Sequence, residues 1–175
     1  MNSLILDIIT ITKKYFFFSV VGGVPVTLAF SIISKKQQEI GELIKILLFN
    51  SYLVMVVLIT LVDRRCWEEP YISIFGNFSL FYKDWGEWYL NTGTVENILL
   101  FVPFTILLLI GKRQNSRRKI WLSLMFCVSF SIWIEVCQGL FSKGTFQVSD
   151  IFYNSVGGLI GGGIVFLINR WIVLK

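Results

Sequence analysis

The sequence predicts an all-α, polytopic membrane bundle of about five transmembrane helices, with an aromatic-rich extracytoplasmic loop between the second and third. Three observations lead there. Of the 175 residues, 55% are hydrophobic and only 15% are charged. The mean hydropathy is +0.71, well above what a soluble domain of this size needs to fill a core. The apolar residues also gather into five runs close to the ~20 residues that cross the hydrocarbon core of a bilayer as helix.

The first run covers about residues 15–33. It has no small-residue cleavage site, its apolar part is too long for a signal peptide, and Lys35 and Lys36 follow it as a stop signal, so it reads as a retained helix. The second run is 43–62. Residues 1–62 therefore form a pair of N-terminal spans, and residues 63–175 a second domain made of the loop and three further spans. The third run, 95–110, is the shortest; the fourth is 120–141 and the fifth 151–173. Cys66, Cys127 and Cys137 form no CxxC pair, so they suggest neither a disulfide framework nor a metal site.

Orientation follows from the basic residues, because cytoplasmic loops are enriched in Lys and Arg. Lys112, Arg113, Arg117, Arg118 and Lys119 share one short loop, and that loop is placed inside. By alternation Lys35, Lys36, Lys45, Arg170 and Lys175 also fall inside, ten of the sixteen basic residues in all. Arg64 and Arg65 run against this. The N-terminus is then outside and the C-terminus cytoplasmic. The net charge of +5 reads as topology and contact with anionic lipid, with no patterned basic surface for nucleic acid.

The loop at 63–94 carries nine aromatics between Trp67 and Tyr89, interleaved with Glu68, Glu69, Lys83, Asp84 and Glu87. Amphipathic rings among charges suit the headgroup region. The loop reads first as an interfacial belt and second as a landing surface for an amphiphile.

With that topology, six polar residues reach the same side of the membrane. Glu96 and Asn97 open the third span, Glu135 and Gln138 lie toward the end of the fourth, and Asp150 and Asn154 open the fifth. Glu135 lies roughly 9 Å inward of Phe141 at the helical rise. Ser131, Glu135, Gln138 and Gly139 form one stripe of the fourth helix, and Asp150, Asn154, Gly157, Gly158 and Gly161 a matching stripe of the fifth. The four-residue separations Gly157–Gly161 and Gly158–Gly162 predict close backbone packing in lipid. A charged carboxylate within a span costs ~2.5–3.5 kcal/mol on insertion scales. Glu135 must therefore face the bundle and find donors such as Gln138 or Asn154, or carry a proton.

These residues resemble the VanZ-like family of small membrane proteins, linked to teicoplanin and glycopeptide resistance. The resemblance spans roughly residues 63–163, within the second domain. It is best at ENILLFVPF (96–104) and SIWIEVCQGLFSKGTFQVSDIFYNSVGGLIGG (131–162), where Glu135, Gln138, Asp150, Asn154 and Gly157 match the family pattern. NFSLF at 77–81 is similar to an Asn-Leu-x-Pro-Phe element, with Leu80 in place of the proline. Thr105 replaces a frequent glycine, Gly144 a frequent arginine, and Gln147 the usual aspartate, which weakens a carboxylate-rich metal site. The resemblance implies an integral protein of the bacterial cell envelope that lowers susceptibility to lipid-tailed glycopeptides.

Three function classes stay open. The first is a non-enzymatic binding or shielding factor at the outer leaflet. Its cluster of Glu96, Asn97, Glu135, Gln138, Asp150 and Asn154, with the aromatic loop, would engage an amphiphile such as a lipoglycopeptide or a lipid-linked wall precursor. The second is an intramembrane enzyme with Glu135 or Asp150 as acid or base. The third is a small transporter, for which no internal repeat speaks. Against all three stands plain interhelical hydrogen bonding, worth about 0.6 kcal/mol per contact. The chain has no histidine, which removes His-based triads and His-ligated zinc, and no P-loop or nucleophile elbow appears. No cofactor and no metal are expected, the implied partners are membrane lipids together with a lipoglycopeptide or a lipid-linked cell-wall precursor, and no oligomeric state follows.

Overall fold

Each apolar run is carried by a helix. The computed structural model describes residues 2–34, 39–63, 71–109 and 117–173, and among these lie α1 (Asn2–Ser34), α2 (Ile40–Val57), α3 (Thr92–Leu109), α4 (Arg117–Phe141) and α5 (Val148–Val173). All five are long and apolar enough to cross a membrane. Lys35, Lys36, Arg64, Arg65, Cys66, Trp67, Glu68, Glu69, Lys112, Arg113 and Lys175 lie outside the described residues. α1 starts well ahead of its predicted span because residues 2–14 contain no Gly or Pro to stop a helix. α2 continues into a π-helical turn, Leu58–Val62, closed by the Asp63 N–H on the Leu58 carbonyl at 3.0 Å. Pro25 and Pro103 sit inside α1 and α3, a position that membrane helices tolerate better than soluble ones.

The chain divides into two units, Met1–Asp63 and Arg64–Lys175. In the first, α1 packs on α2 through small residues. Ser19, Gly23 and Thr27, four apart, are buried, and a Cβ on Gly23 would fall 2.8 Å from both N and Cα of Ser51. Asn50 Nδ2 donates to Thr27 Oγ1 at 3.0 Å across the seam. Asp63, past the end of α2, accepts the Tyr15 hydroxyl at 2.6 Å and also the Lys14 ammonium.

In the second unit α5 packs most extensively on α3, and also on α4. Gly157 meets the Ile98 carbonyl, and Gly161 the Val102 carbonyl four residues on. The contacts advance together along both helices, so α3 and α5 are parallel and in register. α4 runs against them: Gly158 meets Cys127 while Asn154 meets Ser131. Between α3 and α4, Phe104 stacks on Phe130 at 5.3 Å with the rings 1° from parallel.

The aromatic loop contains an element that the alternating charges and rings had concealed. β1 (Phe81–Asp84) and β2 (Glu87–Leu90) form an antiparallel hairpin pairing Phe81 with Leu90, Tyr82 with Tyr89, Lys83 with Trp88 and Asp84 with Glu87. Its two-residue turn has positive φ at both Trp85 (49°) and Gly86 (89°), the twist that two-residue hairpin loops need. The Asn91 N–H returns to the Leu80 carbonyl at 2.8 Å and closes the hairpin base. The Asn91 side chain then starts α3, its Oδ1 accepting from the Thr94 N–H at 3.4 Å.

Candidate functional site

The six predicted polar residues come to one end of the second unit, where α3 and α5 begin and α4 ends. They do not play equal parts there. Asn97, Glu135, Gln138 and Asn154 are buried, whereas Glu96 and Asp150 are half-buried at the rim.

Glu135 is 1% exposed, and its position is made by the α4–α5 connection. α4 ends at Phe141, with Ser142 in the left-handed region (φ 50°) and the Lys143 N–H bonded to the Gln138 carbonyl at 3.0 Å. This is the six-to-one bond of a Schellman stop, which satisfies a terminal carbonyl. The chain then doubles back, and the Gln147 N–H donates to Glu135 Oε2 at 2.8 Å. The carboxylate thus pins the residue just before α5. Gln147, standing where the resemblance leads one to expect an acid, supplies this backbone donor and gives its side-chain Nε2 to Thr145 Oγ1 at 2.9 Å.

The N-terminus of α5 is held by the strap at residues 71–80. The Val148 and Ser149 N–H groups donate to the Ile74 and Phe75 carbonyls at 2.8 and 3.1 Å, filling helix-terminal donors that would otherwise be orphaned. Gly76 (φ 69°) lets the strap sit on Ser149. Tyr71 covers Gly139, with its hydroxyl 2.8 Å from where a Cβ would be, and Phe78 packs edge-on against Phe152 at 5.7 Å. Strap, α4 end and α5 start form one hydrogen-bonded cap over Glu135.

One layer deeper, Asn154 Nδ2 donates to Ser131 Oγ at 2.8 Å, while Asn154 Oδ1 is buried without a hydrogen-bond partner. Deeper still, Thr105 Oγ1 and Cys127 Sγ are 3.1 Å apart, beside Gly158. The buried stripe of α4 therefore runs Ser123, Cys127, Ser131, Glu135 and Gln138, longer than the four residues read from sequence. Its inner members were legible as small polar side chains continuing the four-residue spacing. Ser149, buried at 1%, had no such signal, because its burial depends on the strap.

The glycines sort onto two faces. Gly157 and Gly161 meet backbone of α3, and Gly158 meets Cys127 of α4. Gly162 is looser: a Cβ there would have Ile120 Cγ2 as its nearest neighbour, at 3.5 Å. Among the described residues no three His, Cys, Asp or Glu side chains gather as possible metal ligands.

This pairing of a polar cluster with a glycine-packed last helix lies on the residues that carry the resemblance. The profile of the VanZ/LLP1 family matches residues 8–169. The chain belongs to the VanZ/LLP1 family. With its five candidate spans it is a multi-pass membrane protein. The family match begins in α1 and so takes in both units, beyond the 63–163 stretch of the resemblance. Protein VanZ of Enterococcus faecium is 26% identical over 76 residues, 43% of this chain and 45% of that protein. The match thus covers less than half of that relative's length. No solved structure matches the chain.

Proposed function

We propose that this VanZ-like protein of the bacterial cell envelope lowers susceptibility to lipid-tailed glycopeptides without catalysing a reaction. In this reading it binds or shields an amphiphile at the outer leaflet, either the antibiotic or a lipid-linked wall precursor. The orientation comes from the charge bias of the loops, with the capped cluster and the hairpin on the extracytoplasmic side.

The observation that carries the non-enzymatic part is the state of Glu135. An acid or base must come within hydrogen-bond reach of the proton it moves. Glu135 is buried and its carboxylate already holds the Gln147 N–H, which supports a role in building the extracytoplasmic end over a role in proton transfer. The exposed rings of the hairpin beside that end support contact with an amphiphile.

Glu135→Gln and Glu135→Ala test the reading when membrane abundance and protection against a lipoglycopeptide are measured together. Glutamine keeps an oxygen for the Gln147 N–H, so that variant retains protection. Alanine strands the donor at a cost of about 1–3 kcal/mol, and protection per molecule falls at matched abundance. A glutamine variant that is abundant yet inactive counts against the reading and leaves acid–base chemistry, which typically contributes about 10²- to 10⁴-fold in rate, or ligand binding that depends on the charge of Glu135.

A further inference from the structure

The hairpin Phe81–Leu90 is an unusual object to leave in water. It is a single two-stranded sheet, all eight strand residues are exposed, and an isolated two-stranded hairpin is at best marginally stable in solvent. Its faces differ. Pairing and alternation put Phe81, Lys83, Trp88 and Leu90 on one side, and Tyr82, Asp84, Glu87 and Tyr89 on the other. The first face is apolar with one base. The second has two rings stacked at 5.7 Å and two carboxylates directly opposite each other, an arrangement that disfavours packing on anything anionic.

The turn adds a second anomaly. Position 85 has φ 49°, where Asn or Gly is at ease and a bulky side chain is an outlier. Yet Trp85 stands there, 96% exposed, the most exposed large apolar side chain described. A strained backbone holding a solvent-exposed indole points to a contact surface that rewards the ring.

One surface is necessarily nearby. β2 enters α3 through the single residue Asn91, and α3 is a candidate membrane span. A four-residue strand reaches about 13 Å, so the turn stays close to the bilayer surface however the hairpin leans. We infer that the hairpin lies on the membrane with the Phe81–Lys83–Trp88–Leu90 face turned into the headgroup region and Trp85 inserted at its tip, while the Tyr82–Asp84–Glu87–Tyr89 face stays in water. The rings bury there, the Lys83 ammonium reaches lipid phosphate, and the carboxylates keep away from it. The bilayer takes the place of the missing sheet neighbour. This inference stands apart from the resistance role.

The test is spin-label accessibility in the full-length protein, reconstituted in vesicles of phosphatidylethanolamine and phosphatidylglycerol. Single cysteines replace Phe81, Tyr82, Glu87, Trp88, Tyr89 and Leu90 in turn, in a Cys66→Ser background. Cys127 and Cys137 are buried, and the background alone corrects for any label they take up. Collision with oxygen, which enriches in lipid, should be high and collision with a water-soluble nickel chelate low at 81, 88 and 90, with the reverse at 82, 87 and 89. Uniform access to the nickel chelate would overturn the inference, leaving the hairpin free in water. Lipid exposure at 82 and 89 would overturn the assigned face. Shielding of both faces from both reagents would overturn it as well, since the hairpin would then be held by protein.

Discussion

Alanine at Gly161 adds one methyl group where two backbones touch. Its Cβ would lie 2.5 Å from the Val102 carbonyl oxygen and 3.0 Å from Thr105 Cβ. Neither neighbour is the tip of a flexible chain, so α3 and α5 must part. A separation of about 0.5–1 Å forfeits roughly a quarter to a half of each dispersion contact along the seam, and overpacking of this kind typically costs about 1–3 kcal/mol. Helix propensity returns about 0.5–1 kcal/mol when Gly becomes Ala, which leaves a net loss of about 0–2.5 kcal/mol. Gly163 is the internal control, since nothing lies within 4 Å of a Cβ there and only the propensity gain remains. At about 2–4 °C per kcal/mol for a chain of this size, Gly161→Ala should lower the melting temperature in detergent by up to about 10 °C. Gly163→Ala should leave it level or slightly raised. Melting followed by fluorescence-detected size exclusion reads both variants. If the two alanines melt together, the close approach of α5 to α3 is not what holds the unit.

Two further predictions test other layers. Ser131→Ala removes the acceptor of Asn154 Nδ2 on an amide whose oxygen already lacks a partner, so melting should reveal a loss of about 1–3 kcal/mol; an unchanged melt would mean that the amide finds another acceptor. For topology, cysteines at Asp84 and Ser142 should both react with an impermeant thiol reagent applied from outside, while Asn115→Cys should not, and the opposite pattern would invert the orientation. Gly76 is a poor labelling site, because its positive φ and its seat on Ser149 make any side chain there disruptive.

The reach of sequence reasoning is clearest at Glu135. Its burial and its place among Ser131, Gln138 and Asn154 follow from the helical period and from the expense of a carboxylate in lipid. Its bond from the Gln147 backbone does not follow. The sequence offered side-chain amides, yet the structure brings up the Gln147 backbone N–H, because that depends on the path of residues 142–147 after the Schellman stop. The hairpin was missed for a related reason. FYKDWGEWYL mixes rings and charges on both strand faces, so its alternation is weak, and Gly86 in a two-residue turn was the one local sign.

What the sequence determined alone are the quantities set by the solvent. The bilayer demands about 20 apolar residues per helix, so five spans could be counted, and alternation carried the polar residues to one side. Four-residue glycine spacing announced close packing, but a helical period names faces and not neighbours. Only the tertiary structure decided that Gly157 and Gly161 meet α3 while Gly158 meets α4, and that the strap from 71 to 80 caps the N-terminus of α5. Those choices lie between segments far apart in the chain, where packing of side chains and satisfaction of backbone donors outweigh any local preference.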